Sequence, residues 1–290
     1  MRNKTKWIKS SGAAAVMGAL LVPSVGRAVP LSSLPDLSLL TPFATFGNTY
    51  LDSNVTINGD VGISANGTVN VMAPSTINGN LYLAAGATKI GPGAVTGSTF
   101  LNQNLTAAQQ QVFTASTLLA SLVPGTLGSV VVPAAGVVYG AVNGIVDITV
   151  INVDNLTSGG GNITFTGDVG DYFVLNIAHD LDMTGSAAII GGLPGHLLVN
   201  LWDTTPENLG VIAHVGNVIN GTTLIPYDSA TFHSVNGAIY SGYGEITLMS
   251  GATVDYVPYT PPSVPDAAST ALLALIGLGS LTVYRKMVVA

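Results

Sequence analysis

The sequence contains no cysteine, which excludes disulfides, thiolate nucleophiles and thiolate metal sites. It also has few cations, because only eight of its 290 residues are lysine or arginine. Seven of these lie near the two ends, and Lys89 is the only cation between Val29 and Val264. The fourteen acidic residues of that range leave it a formal charge of −13. Such a body repels phosphate, so we expect no binding to nucleic acid.

Sequence motifs for catalysis are also missing. No nucleophile elbow, phosphate-binding loop or zinc-protease helix occurs, and the four histidines His179, His196, His214 and His233 stand apart. Paired carboxylates in 168–171 and 179–182 could act as acid and base or hold calcium, but neither has a calcium-loop signature and surface turns are the favoured explanation. We therefore predict a non-enzyme with no catalytic residue, cofactor or metal. A carbohydrate-active β-helix enzyme ranks third among the candidate functions.

The first 28 residues have the three parts of a secretory signal. A basic start is followed by the apolar run 12–25, and small residues precede a cleavage site between Ala28 and Val29. The apolar run is short for a bilayer core about 30 Å thick, which favours a cleaved signal over a retained anchor. We predict export from the cell through its export machinery.

The other end of the chain, 263–290, repeats this order in reverse. Its apolar stretch 267–284 would form a helix of roughly 27 Å, long enough to span a membrane. The segment begins with Val264, Pro265 and Asp266 and closes with Arg285 and Lys286. It resembles the VPDSG-CTERM variant of the PEP-CTERM sorting signals, with Ala267-Ala268 in place of Ser-Gly. That resemblance implies processing by an exosortase-like enzyme and at least transient membrane anchoring at the cell surface; a plain membrane anchor is the alternative.

The body of the chain, 29–262, shows an internal repeat of twenty residues. The segment 55–63 returns as 75–83, and a fainter copy starts at Val95. Each period holds three short apolar alternations separated by Asn-Gly and similar turn elements. Three short strands per period predict one triangular coil of a β-solenoid, whose stacked coils bury a shared core. An antiparallel sandwich or barrel is the alternative.

One segment interrupts this repeat of short strands and turns, and its pattern predicts a helix over 105–122. A capping box of Thr106 and Gln109 would begin it, and Pro124-Gly125 would end it. Its apolar residues follow helical spacing, so we expect one stripe to pack along the solenoid. That stripe consists of Val112, Ala115, Leu119 and Leu122.

This order of coils, helix and further coils resembles the ice-binding-like adhesin domain. The resemblance is carried by 43–47, 56–62, 97–99 and the helix at 107–109. It implies an irregular right-handed triangular β-solenoid with one flanking helix. The later segments 173–177, 221–226 and 235–240 resemble the choice-of-anchor A family of surface proteins.

Taken together, these features predict an exported, non-enzymatic structural or adhesive protein of the cell surface or extracellular matrix. Its partner would be an extracellular polymer or a cell surface. The alternative is ice binding, because Thr56, Thr76 and Thr96 lie twenty residues apart and alternate with inward positions. In a solenoid they would form an outward ladder of methyl and hydroxyl groups spaced by about 4.8 Å.

Overall fold

The computed structural model of the chain describes residues 31–122, 128–140, 142–144, 146–183, 187–191, 193–202 and 218–262. The predicted signal and sorting segments lie outside these ranges. No helix within the ranges is long and apolar enough to cross a membrane. The undescribed positions include the predicted cleavage and sorting residues Ala28, Val29, Val264, Pro265, Asp266, Arg285 and Lys286.

Short strands dominate the described chain. The first group consists of β1 (Phe43–Leu51), β2 (Thr56–Asn58), β3 (Asp60–Ile63), β4 (Thr68–Val71), β5 (Thr76–Asn78), β6 (Leu81–Ala84), β7 (Thr88–Ile90), β8 (Ala94–Val95) and β9 (Thr99–Gln103). The helix α1 (Thr106–Ser121) follows. The second group consists of β10 (Val130–Val132), β11 (Val137–Tyr139), β12 (Ile148–Val153), β13 (Leu156–Ser158), β14 (Ile163–Phe165), β15 (Tyr172–Ile177), β16 (Leu181–Met183), β17 (Ile189–Ile190), β18 (Leu197–Leu201), β19 (Ile219–Ile225) and β20 (Ala230–Tyr256). Two 3₁₀ turns, Leu31–Ser33 and Pro194–His196, complete the described elements.

All strand pairs in these ranges are parallel, and each strand pairs with strands one coil away. This arrangement confirms the solenoid and shows that the antiparallel sandwich or barrel was wrong. Three faces result. The ladder face contains β2, β5, β8, β11, β14, β17 and the parts of β19 and β20 beside them. The helix face contains β3, β6, β9, β12, β15, β18, the first part of β1 and the parts of β19 and β20 that pair beside them. The third face contains β4, β7, β10, β13, β16, the end of β1 and the part of β20 that pairs with it.

The coils are not stacked in the order in which they occur in the sequence. It enters at β1 in the middle and coils to one end at β9, and α1 then runs back along the helix face. The second group starts at the other end and coils toward the middle. There β20 pairs with β1 and β2, so that Thr45 faces Ile239 and Thr56 faces Thr253. β1 therefore lies between the late strand β20 and the early strands β3 and β4.

The core follows the predicted alternation. Inward residues of successive strands, such as Ile57, Ile63 and Val71, are fully buried in one continuous cluster. Asn-Gly corners separate the strands, and two of the glycines, Gly59 and Gly237, have φ of 149° and 152°. At these corners a side chain would also collide with the adjacent coil, because Gly237 faces the Gly221 carbonyl oxygen. The corners therefore need glycine both for backbone conformation and for close stacking.

The helix lies on the outer side of the helix face and forms a second apolar cluster there. Val112, Ala115 and Leu119 are buried, as predicted, and Leu122 packs at the edge of the same cluster. The predicted capping box was wrong, because Thr106 is the first helical residue and Leu105 occupies the N-cap without a side-chain bond. Gln109 instead donates through Nε2 to the carbonyl oxygen of Gly242 at 2.7 Å. This bond ties the first turns of the helix to the solenoid.

Candidate functional site

The ladder face carries two parallel columns of outward side chains near the middle of the solenoid. Its strands read Thr253-Val254-Asp255, Thr56-Ile57-Asn58 and Thr76-Ile77-Asn78, and their residues stand in register. The central residue of each triplet points inward and is fully buried. The flanking residues point outward because side chains alternate along a strand. One column is therefore threonine and the other is asparagine or aspartate.

Two of the three threonines that the sequence suggested as a ladder stand in one column of the structure. Thr56 and Thr76 face each other, but Thr76 faces Ala94 on its other side. Thr96 lies two residues farther along, exposed, after the pair Ile77 and Val95. It therefore extends the asparagine column and not the threonine column. The sequence reasoning missed Thr253, which adds a threonine rung on the opposite side of Thr56.

Side-chain hydrogen bonds fix the second column. Asn78 donates through Nδ2 to Asn58 Oδ1 at 2.9 Å, and Asn58 donates through Nδ2 to Asp255 Oδ1 at 2.7 Å. Each amide thus donates to the residue one coil away, which holds the side chains in a common orientation. The threonine column is stiffened differently, since a β-branched side chain has few χ1 rotamers. The result is an array of polar groups with little conformational freedom.

The asparagine column continues into the second group of strands. Asn220 faces Asn236, and Thr253 N donates to Ser234 Oγ at 3.4 Å, which places this pair beside Asp255. Farther along, the outward positions become apolar or mixed, with Ile190, Thr164 and the exposed Val138. No lysine or arginine of the described chain lies on the ladder face, because Lys89 belongs to β7 on the third face.

The polar clusters found in the sequence serve the turns of the coils. Asp171 is buried and accepts from the backbone nitrogens of Asp147 at 3.0 Å and Asp168 at 2.6 Å. Asp168 Oδ2 accepts in turn from Asn143 N at 3.0 Å and Gly144 N at 2.7 Å. These bonds tie consecutive coils together and leave the carboxylates oriented toward backbone amides.

The histidines do not converge in the described chain. His179 lies 3.0 Å from the Asp154 carboxylate at the surface, and His196 stacks on Tyr172 with ring centroids 4.3 Å apart. His233 is half-buried on β20, while His214 lies outside the described residues. Within the described ranges no three histidine, aspartate or glutamate side chains group as a metal site would require.

Comparison with known proteins gives similarity to solved structures only. No family model matches the sequence, and no curated protein matches it. Among solved structures, an ice-binding protein from the Antarctic ascomycete Antarctomyces psychrotrophicus is 18% identical, with a TM-score of 0.46 over 80% of this chain and 99% of that one. A glycosylated ice-binding protein from an Arctic yeast is 17% identical, with a TM-score of 0.46 over 79% and 97% of the two chains. An ice-binding protein from an Antarctic biological consortium is 17% identical, with a TM-score of 0.44 over 79% and 91%.

Proposed function

We propose that this protein binds ice through the ladder face. The observation that carries the proposal is the double column of threonine and asparagine or aspartate over three successive coils. Neighbouring strands lie about 4.8 Å apart, and outward residues of one strand repeat about every 6.7 Å. The face therefore presents hydroxyl, methyl and amide groups at the nodes of a regular two-dimensional net.

Rigidity is the property that makes such a net suitable for a solid surface. Ordering flexible side chains on binding costs free energy, and a surface that is already ordered avoids that cost. Here the amide ladder holds Asn58 and Asn78, and the buried Ile57 and Ile77 hold the strands beneath them. The threonine methyl groups also limit competing hydrogen bonds to liquid water. A preordered net favours water molecules that are themselves arranged in a lattice.

The composition of the surface supports ice over a polyanionic partner. The described body carries many carboxylates and only one lysine, so it lacks the cations that bind uronate or phosphate polymers. The adhesive role predicted from the sequence, the export signal and the exosortase-type sorting tail stay predictions. Since ice grows outside cells first, ice binding agrees with the proposed export.

The deciding experiment measures thermal hysteresis and ice recrystallisation with the full chain. Thr76→Tyr places a bulky ring in the middle of the ladder, and we expect it to abolish both activities while circular dichroism stays unchanged. Thr68→Tyr is the matched control, because Thr68 is a half-buried threonine of β4 on the third face. Its activity should equal that of the parent. An inactive parent, or an equal loss in both variants, would refute the proposal.

A further inference from the structure

A row of aromatic side chains follows the corner between the helix face and the third face, away from the ladder face. Trp202 follows β18, Tyr227 follows β19, and Tyr243 occupies the same corner within β20. The strand registers place the three residues on successive coils, since Asn200 faces Leu224 and Ile225 faces Ser241. Successive corners are therefore about 4.8 Å apart.

The rings of this row form an open platform. The ring of Phe113 from α1 lies between the two tyrosines, with centroids 5.2 Å from Tyr227 and 4.8 Å from Tyr243. Tyr227 is 36% exposed and Tyr243 is 66% exposed. Large aromatic surface is normally buried or matched by a partner, so a row of exposed rings is a candidate contact surface.

The platform is held in place from beneath. Tyr243 N donates to the Pro226 carbonyl oxygen at 3.1 Å, which joins the two tyrosine corners. Gly242 leaves space for Phe113, whose ring occupies the volume that a side chain there would need. Gln109 Nε2 binds the Gly242 carbonyl oxygen at 2.7 Å. The rings therefore keep their positions without a ligand.

A cavity of about 280 Å³ adjoins this row and adds hydroxyl groups to it. It lies between Trp202, Tyr227 and the last turns of α1, where Thr117 and Ser121 line it. Aromatic faces beside hydroxyl groups are suited to a ligand with apolar C–H faces and polar edges. No lysine or arginine of the described chain lies near it, because Lys89 is on β7.

We propose that this corner, formed by Trp202, Tyr227, Tyr243 and Phe113, binds a neutral glycan chain. The rings stack on the C–H faces of successive hexoses, and the Thr117 and Ser121 hydroxyls contact the sugar edges. The acidic body and the lack of cations favour an uncharged chain over a uronate or sulfated one. This activity is separate from ice binding, because it uses another edge of the solenoid.

The chain allows a direct measurement, since Trp7 and Trp202 are its two tryptophans. In the full chain with Trp7→Phe, emission reports Trp202 alone. The probes are hexasaccharides of β-1,4-glucose, β-1,4-mannose and α-1,4-glucose, with a galacturonate hexasaccharide as the charged contrast. We expect a saturable emission change with at least one neutral probe, and binding of the charged probe at least about tenfold weaker.

Variants then assign the binding to the row. Tyr243→Ala removes an exposed ring without disturbing the core and should weaken the dissociation constant at least about tenfold. Tyr227→Phe keeps the ring and should retain binding. Tyr50→Ala on the third face is the matched control and should bind as the parent does. No response to any neutral probe, stronger binding of galacturonate, or full binding by Tyr243→Ala would overturn the proposal. Tyr243→Ala should leave thermal hysteresis unchanged, so failure of one activity is distinguishable from failure of the other.

Discussion

Asn58 donates a hydrogen bond through Nδ2 to Asp255 Oδ1 at 2.7 Å, although 197 positions separate the two residues in sequence. The bond joins a coil made early in the chain to one made late. It also continues the amide ladder that begins with Asn78. The proposed ice-binding surface is therefore assembled from both halves of the protein.

This bond leads to a first prediction about the ladder. Asp255→Ala removes the acceptor and frees the Asn58 side chain to rotate, so we expect thermal hysteresis to fall. Because both side chains are exposed, the free energy of unfolding should fall by less than about 1 kcal/mol. Asp255→Asn keeps an acceptor oxygen and should retain most of the activity. Equal activity in the alanine variant and the parent would show that the bond has no role in ice binding.

A second prediction concerns the attachment of the helix. Asn176 Nδ2 donates to Leu119 O and to Asn152 Oδ1, both at 2.8 Å, and Asn200 Nδ2 donates to Ser116 O at 3.0 Å and to Asn176 Oδ1 at 2.9 Å. Asn176 and Asn200 are almost fully buried. Asn176→Ala removes the hydrogen bonds that join this residue to α1 and to the two neighbouring coils. It should lower the free energy of unfolding by about 2–4 kcal/mol in urea titrations.

The control for the helix attachment is Asn70→Ala, which changes a half-buried asparagine of β4 on the third face. It should alter stability by no more than about 0.5 kcal/mol. Amide hydrogen exchange in α1 should accelerate in Asn176→Ala and not in Asn70→Ala. If both variants were equally stable, the asparagine ladder would not be what holds the helix.

A third prediction concerns stability at high pH. Burial, with a smaller contribution from nearby Tyr256, raises the pKa of Tyr240 well above its ordinary value of 10.0, and burial also raises the pKa of Tyr259. The folded state therefore keeps these protons at a pH where the unfolded state releases them. Stability depends on the difference in bound protons, so the contribution of these two tyrosines to the free energy of unfolding should be constant below about pH 10 and fall above it.

Tyr240→Phe tests this pH dependence. The Tyr240 hydroxyl is buried without a hydrogen-bond partner in the described structure, so its removal should be neutral or stabilising at pH 7. The fall in stability between pH 10 and 12 should become shallower in urea titrations. An unchanged slope in Tyr240→Phe would contradict the assignment.

The regular part of the solenoid could be predicted because its signal is local. Ile57, Val61 and Ile63 have apolar counterparts twenty residues later, and the structure buries these positions. The sequence prediction placed Thr96 in the threonine column because it assumed that this step stays constant. The step from Thr76 to its partner Ala94 is eighteen residues, while the step from Thr56 to Thr76 is twenty. A search for one fixed period cannot detect a coil that is shortened at a turn.

The contacts between the two halves could not be predicted from such a signal. Thr253 joins the ladder only because β20 returns to the middle of the stack, and nothing near Thr253 in sequence indicates this. The aromatic corner was missed because the coils there have unequal lengths, so Trp202, Tyr227 and Tyr243 show no constant spacing. A constant spacing does exist for Asn152, Asn176 and Asn200, which lie 24 residues apart and could have indicated the helix attachment.

The position of β1 between β20 and β3 determines how the protein can fold. Linear repeat proteins can add one coil at a time to a stable end. Here β1 is synthesised first and has one unpaired edge until 239–248 are available. Pairings of such long sequence separation are slow to form, and unpaired edges promote aggregation. We therefore expect a single cooperative folding step that waits for the late strand. A fragment ending before residue 239 would leave its open edge at what is the middle of the complete stack.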